Sequence, residues 1–355
     1  MKINFIIPFT YITGGIRVIF EYANRLTEKG HIVNVIYPLK AYNFGDTTLK
    51  GFYWQTKGSL RNLIKGKKIN WIEINFNLLQ VPFITDMFVP DADAVIATAW
   101  PTAYSVYNLS KKKGEKFYFI QHYEIWSGQK ELVDKTYNLS LYQITIASWL
   151  ERLLKEKFNS KKLSVIVNAV DINLFYNDQK TYNKNKRILM LYSQHKWKGV
   201  EDGIRAFEIA KKSYPNIELI MFGVKKYPDV PSYVEFYENP KQEKIREIYC
   251  SCDIFISPSW TEGCQLPPME AMACKCAVIA TNIGGIPDYT IPGKTALVSE
   301  PKDINKLAEH LIFLLGNENE LKRLSFAGYE YIKNFTWEKA VKKFEKVLEE
   351  GLRNK

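Results

Sequence analysis

Residues Ser257 to Tyr289 read SPSWTEGCQLPPMEAMACKCAVIATNIGGIPDY. A short apolar run ending at Ile256 feeds a turn rich in Ser, Pro, Thr and Gly. An apolar helical stretch follows from about Pro268 to Ala273, then the β-branched run Ala277 to Thr281 and the turn at Gly284-Gly285. The pattern predicts strand, loop, helix, strand, with the loop opening onto a helix N-terminus. Free N–H groups and the positive end of the helix dipole meet at such a point, so it is built to hold an anion. Two carboxylates flank it, Glu262 in the loop and Glu270 in the helix. Carboxylates beside an anion site are suited to hydroxyls on the molecule that carries the anion. A polyhydroxylated phosphate ester, such as a sugar nucleotide, fits both demands.

Glu262, seven intervening residues and Glu270, within E-G-x-x-L-P-x-x-E-A-M-A, resemble the signature of glycosyltransferase family 4. The match continues through Gly284-Gly285 and Gly293 to Val298. The resemblance implies a retaining, nucleotide-sugar-dependent enzyme of the α/β GT-B fold. That fold has two Rossmann-like doubly wound domains facing a cleft, with a C-terminal helix crossing back to the N-terminal domain. The boundaries predicted from the chain are 1–169 for an acceptor domain, joined by the returning helix at about 338–355, and 170–337 for a donor domain.

With 355 residues, 46% hydrophobic and 25% charged, the chain has the size and composition of two globular domains. The opening MKINFIIPFTYITGG predicts a first strand rather than a signal peptide, and cytoplasm is the expected compartment. The net charge of +11 is unevenly placed. Residues 1–170 hold 22 Lys and Arg against 13 Asp and Glu, a balance of +9, and residues 171–355 hold 27 against 25, a balance of +2. A basic first half motivates peripheral contact with an anionic membrane at its inner face. The competing expectation is a lysine-rich solvated surface. All five cysteines fall between Cys250 and Cys276, without C-x₂-C spacing or a nearby His, which predicts buried free thiols rather than zinc.

From the start, the strand Lys2 to Pro8, the pair Gly14-Gly15, a helix stopping at Gly30 and the strand Ile32 to Tyr37 form a βαβ opening. No G-x-G-x-x-G is present. The pair resembles the family's N-terminal glycine loop, which implies backbone contact with the donor diphosphate. The aromatics Phe52, Tyr53 and Trp54 beside Lys57 and Arg61 suggest a sugar platform, a membrane patch or plain core. Asp91-Ala92-Asp93 looks like a metal-binding D-x-D, but it directly precedes the strand Ala94 to Thr98 and reads as a turn. The strand Phe117 to Gln121 ends in Gln121-His122-Tyr123-Glu124, where open α/β sheets place their sites. The family has a similar strand-end His, so His122 is expected against the donor sugar or the acceptor. In the second half, Lys198-Gly199 fits the family's diphosphate clamp, but the family's Arg position falls on Ser193, leaving Lys196 or His195 to supply the charge.

The expected catalytic residues are therefore Glu262, His122 and Lys198. The expected donor-binding set is Gly14, Gly15, Lys198, Gly263, Cys264, Gln265, Leu266 and Glu270. Lys198 and backbone amides would stabilise the leaving diphosphate, so neither metal nor cofactor is expected. The function expected is transfer of a hexosyl group from a nucleoside diphosphate sugar to a glycan or lipid-linked acceptor, with no nucleic acid partner. The family's E-G-F-G is here Glu262-Gly263-Cys264-Gln265, and Gln265 is expected to tune the sugar or to be tolerated variation. The alternatives are a non-catalytic basic nucleic-acid-binding protein, for which no binding motif is seen, and a glucan synthase or phosphorylase of the same fold.

Overall fold

The structure is a computed structural model that describes residues 1–42, 69 and 71–353. The aromatic and basic segment containing Phe52 to Trp54, Lys57, Arg61 and Lys65 to Lys68 lies outside the described residues. The chain divides into two compact units: Met1–Ile166 with Glu338–Lys355, and Val167–Trp337.

The first unit is built on seven parallel strands: β1 (Lys2–Ile6), β2 (Ile32–Pro38), β3 (Asn77–Val81), β4 (Ala94–Ala97), β5 (Glu115–Ile120), β6 (Tyr142–Thr145) and β7 (Leu163–Val165). They lie in the order β3-β2-β1-β4-β5-β6-β7, with Ile3 opposite both Val33 and Ala94. Ile3, Phe5, Ile96, Phe117 and Phe119 are all fully buried. Near-continuous apolar strands are what a parallel sheet covered on both faces requires. Helix α1 (Gly14–Glu28) begins at Thr13, whose hydroxyl accepts from Ile16 N at 3.2 Å. Such an N-cap satisfies one of the otherwise orphaned helix-start donors. Helices α2 (Trp100–Asn108), α3 (Lys130–Thr136) and α4 (Ser148–Phe158) follow β4, β5 and β6.

The second unit repeats this plan with six parallel strands: β8 (Arg187–Leu191), β9 (Glu218–Gly223), β10 (Glu235–Glu238), β11 (Ile254–Ser257), β12 (Ala277–Thr281) and β13 (Leu297–Ser299). Their order is β10-β9-β8-β11-β12-β13. Helices α5 (Val200–Ser213), α6 (Gln242–Cys250), α7 (Leu266–Ala273), α8 (Ile286–Tyr289), α9 (Ile304–Gly316) and α10 (Glu318–Ile332) fill the connections. Asp253, at the amino end of β11, is fully buried. It accepts from Asn183 N, Asn183 Nδ2 and Arg187 N at 2.9–3.0 Å. A buried carboxylate is tolerable when its oxygens are satisfied in this way.

The last helix, α11 (Trp337–Arg353), returns to the first unit. Phe344 is fully buried, with its ring 4.7 Å from Tyr22 and 5.5 Å from Phe119. Glu345 pairs with Lys29 and, at 2.8 Å, with His31 Nε2.

Candidate functional site

In each unit the chain leaves the sheet's centre in both directions, so the loops after two neighbouring strands part at their carboxyl ends. Ligands of doubly wound sheets bind at such switch points. In the second unit the neighbours are β8 and β11.

The loop after β8 and the loop after β11 are laced together. Trp260 N donates to Trp197 O at 2.6 Å, and Trp260 Nε1 donates to Asp202 Oδ2 at 2.6 Å. Gly199 has φ +61°, and a Cβ there would lie 2.8 Å from the Pro258 carbonyl carbon. Only glycine combines that left-handed backbone with so close an approach. The result is a partly buried ion pair, Lys198 Nζ to Glu262 Oε1 at 2.6 Å. Gly284, with φ +55°, supports the loop from below, since a Cβ there would fall 2.6 Å from Glu262 O. The sequence reading gave Lys198 and Glu262 separate partners, whereas in the structure each is the other's partner. His195 stacks on Trp197 at 4.3 Å instead, and Lys196 is exposed.

The loop then runs into α7. Pro267 and Pro268 fill the second and third helical positions and carry no N–H. The donors expected from the sequence, the amides of Gly263 to Leu266, all precede these prolines. Cys264 and Gln265 are buried. Asn168 Nδ2 donates to Cys264 O at 2.9 Å, Ser257 Oγ to Gln265 Oε1 at 2.5 Å, and Tyr289 OH to Gln265 O at 3.1 Å. These bonds fix the loop's path, so what Cys264 and Gln265 offer outward is backbone. Glu270 is buried and accepts from Tyr249 OH at 3.1 Å.

Four cysteines are buried and Cys250 is partly exposed, all as free thiols. Burial pushes the Cys264 thiol up to about 12, which makes it a poor nucleophile. Among the described residues no group of three or more His, Cys, Asp and Glu side chains is arranged to hold a metal. Of the D-x-D acids, Asp91 pairs with Lys113 at 2.6 Å and Asp93 accepts from Lys2 N at 2.7 Å, at the amino end of the sheet.

In the first unit the switch point lies between β1 and β4. Gly14 and Gly15 open α1 directly after the β1 loop. Gln121, at the end of β5, donates from Nε2 to Gly15 O at 3.1 Å and so ties the two loops together. His122 Nδ1 lies 3.3 Å from Tyr123 O, and its ring meets Trp126 edge-on at 4.3 Å and Trp149 at 5.4 Å.

Two neighbours had no role in the sequence reading. Glu124 Oε2 accepts from Trp100 N at 2.7 Å. Part of Glu124's surface remains open, yet burial of its carboxyl dominates and raises its pKa to about 7, against the lowering effect of that bond. Trp126 stands 55% exposed on the single 3₁₀ turn Ile125–Ser127. The signal for both was a carboxylate and a tryptophan within four residues of a strand-end histidine, but burial and ring orientation are tertiary facts.

Two doubly wound parallel sheets, the second with a charged pair at its switch point, define a GT-B protein. The glycosyl transferases group 1 pattern matches residues 173–331. The matched residues all lie within the second unit. The chain is 29% identical over 218 residues to an uncharacterised glycosyltransferase of Methanocaldococcus jannaschii, covering 58% of this chain and 59% of that protein. The chain spans less than two thirds of the length of curated relatives it matches. Among solved structures it resembles sucrose-phosphate synthase from Thermosynechococcus elongatus, with TM-score 0.75 and 15% identity over the full length of both. It also resembles Anabaena HepE in complex with UDP and glucose, with TM-score 0.74 and 15% identity over 98% of this chain and 99% of that one. Identities this low speak for the fold alone.

Proposed function

We propose that the chain is a retaining hexosyltransferase that moves a sugar from a nucleoside diphosphate donor to a glycan or lipid-linked acceptor. The observation that carries this is the Lys198–Glu262 pair at the second unit's switch point. A nucleoside diphosphate entering there brings negative charge for Lys198, and the sugar's hydroxyls replace the ammonium as partners of Glu262. The donor exchanges one satisfied pair for two, so Glu262 loses no stabilisation when the lysine swings away. Backbone N–H groups of Gly263 to Leu266 would share the diphosphate charge, and Glu270 would take the ribose hydroxyls. Such fixed donors stabilise charge that develops on the leaving group. The chemistry then needs neither metal nor cofactor.

In the first unit, Gly14, Gly15 and His122 would serve the donor diphosphate and the sugar. Retention follows if the acceptor attacks the face from which the diphosphate leaves. The acceptor oxygen bonds to C1 as the C1–O bond to phosphate breaks, and the departing phosphate oxygen takes the acceptor's proton. HepE is solved with UDP and glucose, which makes UDP the first nucleotide to try.

No described helix is long and apolar enough to cross a membrane. The basic first half supports peripheral attachment to an anionic cytoplasmic leaflet.

The test is turnover of UDP-, GDP-, ADP- and dTDP-hexoses by the wild type and by Glu262→Gln. The variant is expected to lose about 10²- to 10³-fold in rate, the usual cost of one electrostatic contact to a transition state. Near-wild-type turnover by the variant, or no turnover of any donor by the wild type, contradicts the reading.

A further inference from the structure

We infer that Trp126 is the floor of a carbohydrate subsite on the first unit, where a pyranose ring of the acceptor stacks on its indole face. This rests on the transferase reading above, and it names the acceptor's chemistry as saccharide.

The turn that carries Trp126 is fixed on both sides. Ser127 Oγ donates to Glu124 O at 2.8 Å, and the neighbouring Trp100 donates from Nε1 to Ser127 Oγ at 3.0 Å. The His122 ring lies perpendicular to the Trp126 ring (interplanar 89°), with the centroids 4.3 Å apart. A side chain this large, more than half exposed on a rigid turn, gives up apolar burial that folding would otherwise collect. The place also matters, because the turn follows β5 at the carboxyl end of the sheet. Tyr11 stands 56% exposed after β1 at the same end, its ring stacked on Phe9 at 3.8 Å and 4°. The Gln121–Gly15 bond ties these two loops together.

A pyranose has a C–H face that is apolar and a rim of hydroxyls that is not. An aromatic plane takes the face. Glu124, two residues before Trp126, accepts from Trp100 N and anchors the turn from its buried side. A bilayer is the competing occupant, since exposed aromatics also enter membranes. A bilayer site is expected to surround such a ring with lysine and arginine. Residues 121–129 contain no Lys or Arg, and the nearby Lys130 and Lys157 are both paired with Asp134, so the local charge favours a neutral hydroxylated ligand.

The full chain is tested on an array of immobilised α- and β-linked gluco-, manno- and galacto-oligosaccharides of two to six sugars. The wild type is expected to bind a subset. Trp126→Ala should weaken that binding at least tenfold, and Trp126→Phe should keep it within a few-fold while removing the change in tryptophan emission that accompanies it. Circular dichroism confirms that both variants fold. Three results overturn the inference: a wild type that binds no glycan, a Trp126→Ala that binds as the wild type does, or a Trp126 dependence seen only with phosphatidylglycerol vesicles. Donor turnover by the wild type is read separately, so the transferase reading and this one can fail independently.

Discussion

The two units share one strand order over six strands, the first adding a seventh at its edge, and differ in what stands at the carboxyl ends of their strands. The second unit places a lysine–glutamate pair there, held by a glycine pressed against Pro258. The first places aromatic rings and a carboxyl group whose pKa is raised by burial. The scaffold does not dictate the chemistry, because the same sheet order presents charge in one unit and apolar faces in the other. What a switch point binds is decided by the few residues of its loops.

Gly199→Ala attacks the charged half of this contrast. The new Cβ meets Pro258 backbone while φ stays positive, which costs roughly 1–3 kcal/mol of strain or forces the loop to move. Calorimetry is expected to show a lower melting midpoint together with weaker nucleotide binding. An unchanged midpoint would mean that the loop was not held as described.

A pH series sharpens the other half, with a smaller effect. Glu124 keeps its proton in the folded state up to about 7, whereas its reference value is 4.5. Between those values the folded state binds more protons than the unfolded one, so this group's contribution to stability falls as pH rises and is flat above both. Glu124→Gln, neutral throughout, should flatten that slope in denaturant titrations from pH 5 to pH 8. A slope that persists unchanged in the variant would place its origin elsewhere.

The sequence made parts of this readable. The βαβ opening and the strand, loop, helix and strand around Ser257 to Tyr289 were readable from the residues, and the resemblance to the family implied two doubly wound units. Glu262, Glu270 and Gly284-Gly285 stood out because their spacing is local to one strand–loop–helix. The pairing of Lys198 with Glu262 was not readable, since 64 residues separate them and only the adjacency of β8 and β11 joins them. Pro267 and Pro268 were also legible, and they confine the helix-start donors to Leu266 and the loop before it. Ser193 in the family's Arg position was visible as well, whereas the stacking of His195 on Trp197 was not. Glu124 and Trp126 passed unremarked because a raised pKa and an exposed ring depend on neighbours such as Trp100 and His122.

The most direct test of the charged switch point is a calorimetric titration of UDP, GDP, ADP and dTDP into the wild type and Lys198→Met. One nucleotide is expected to bind the wild type and to bind the variant at least tenfold more weakly, a difference of about 1.4 kcal/mol. Equal affinity in the two proteins, or no binding of any of the four to the wild type, would contradict the assignment of Lys198 to the donor diphosphate.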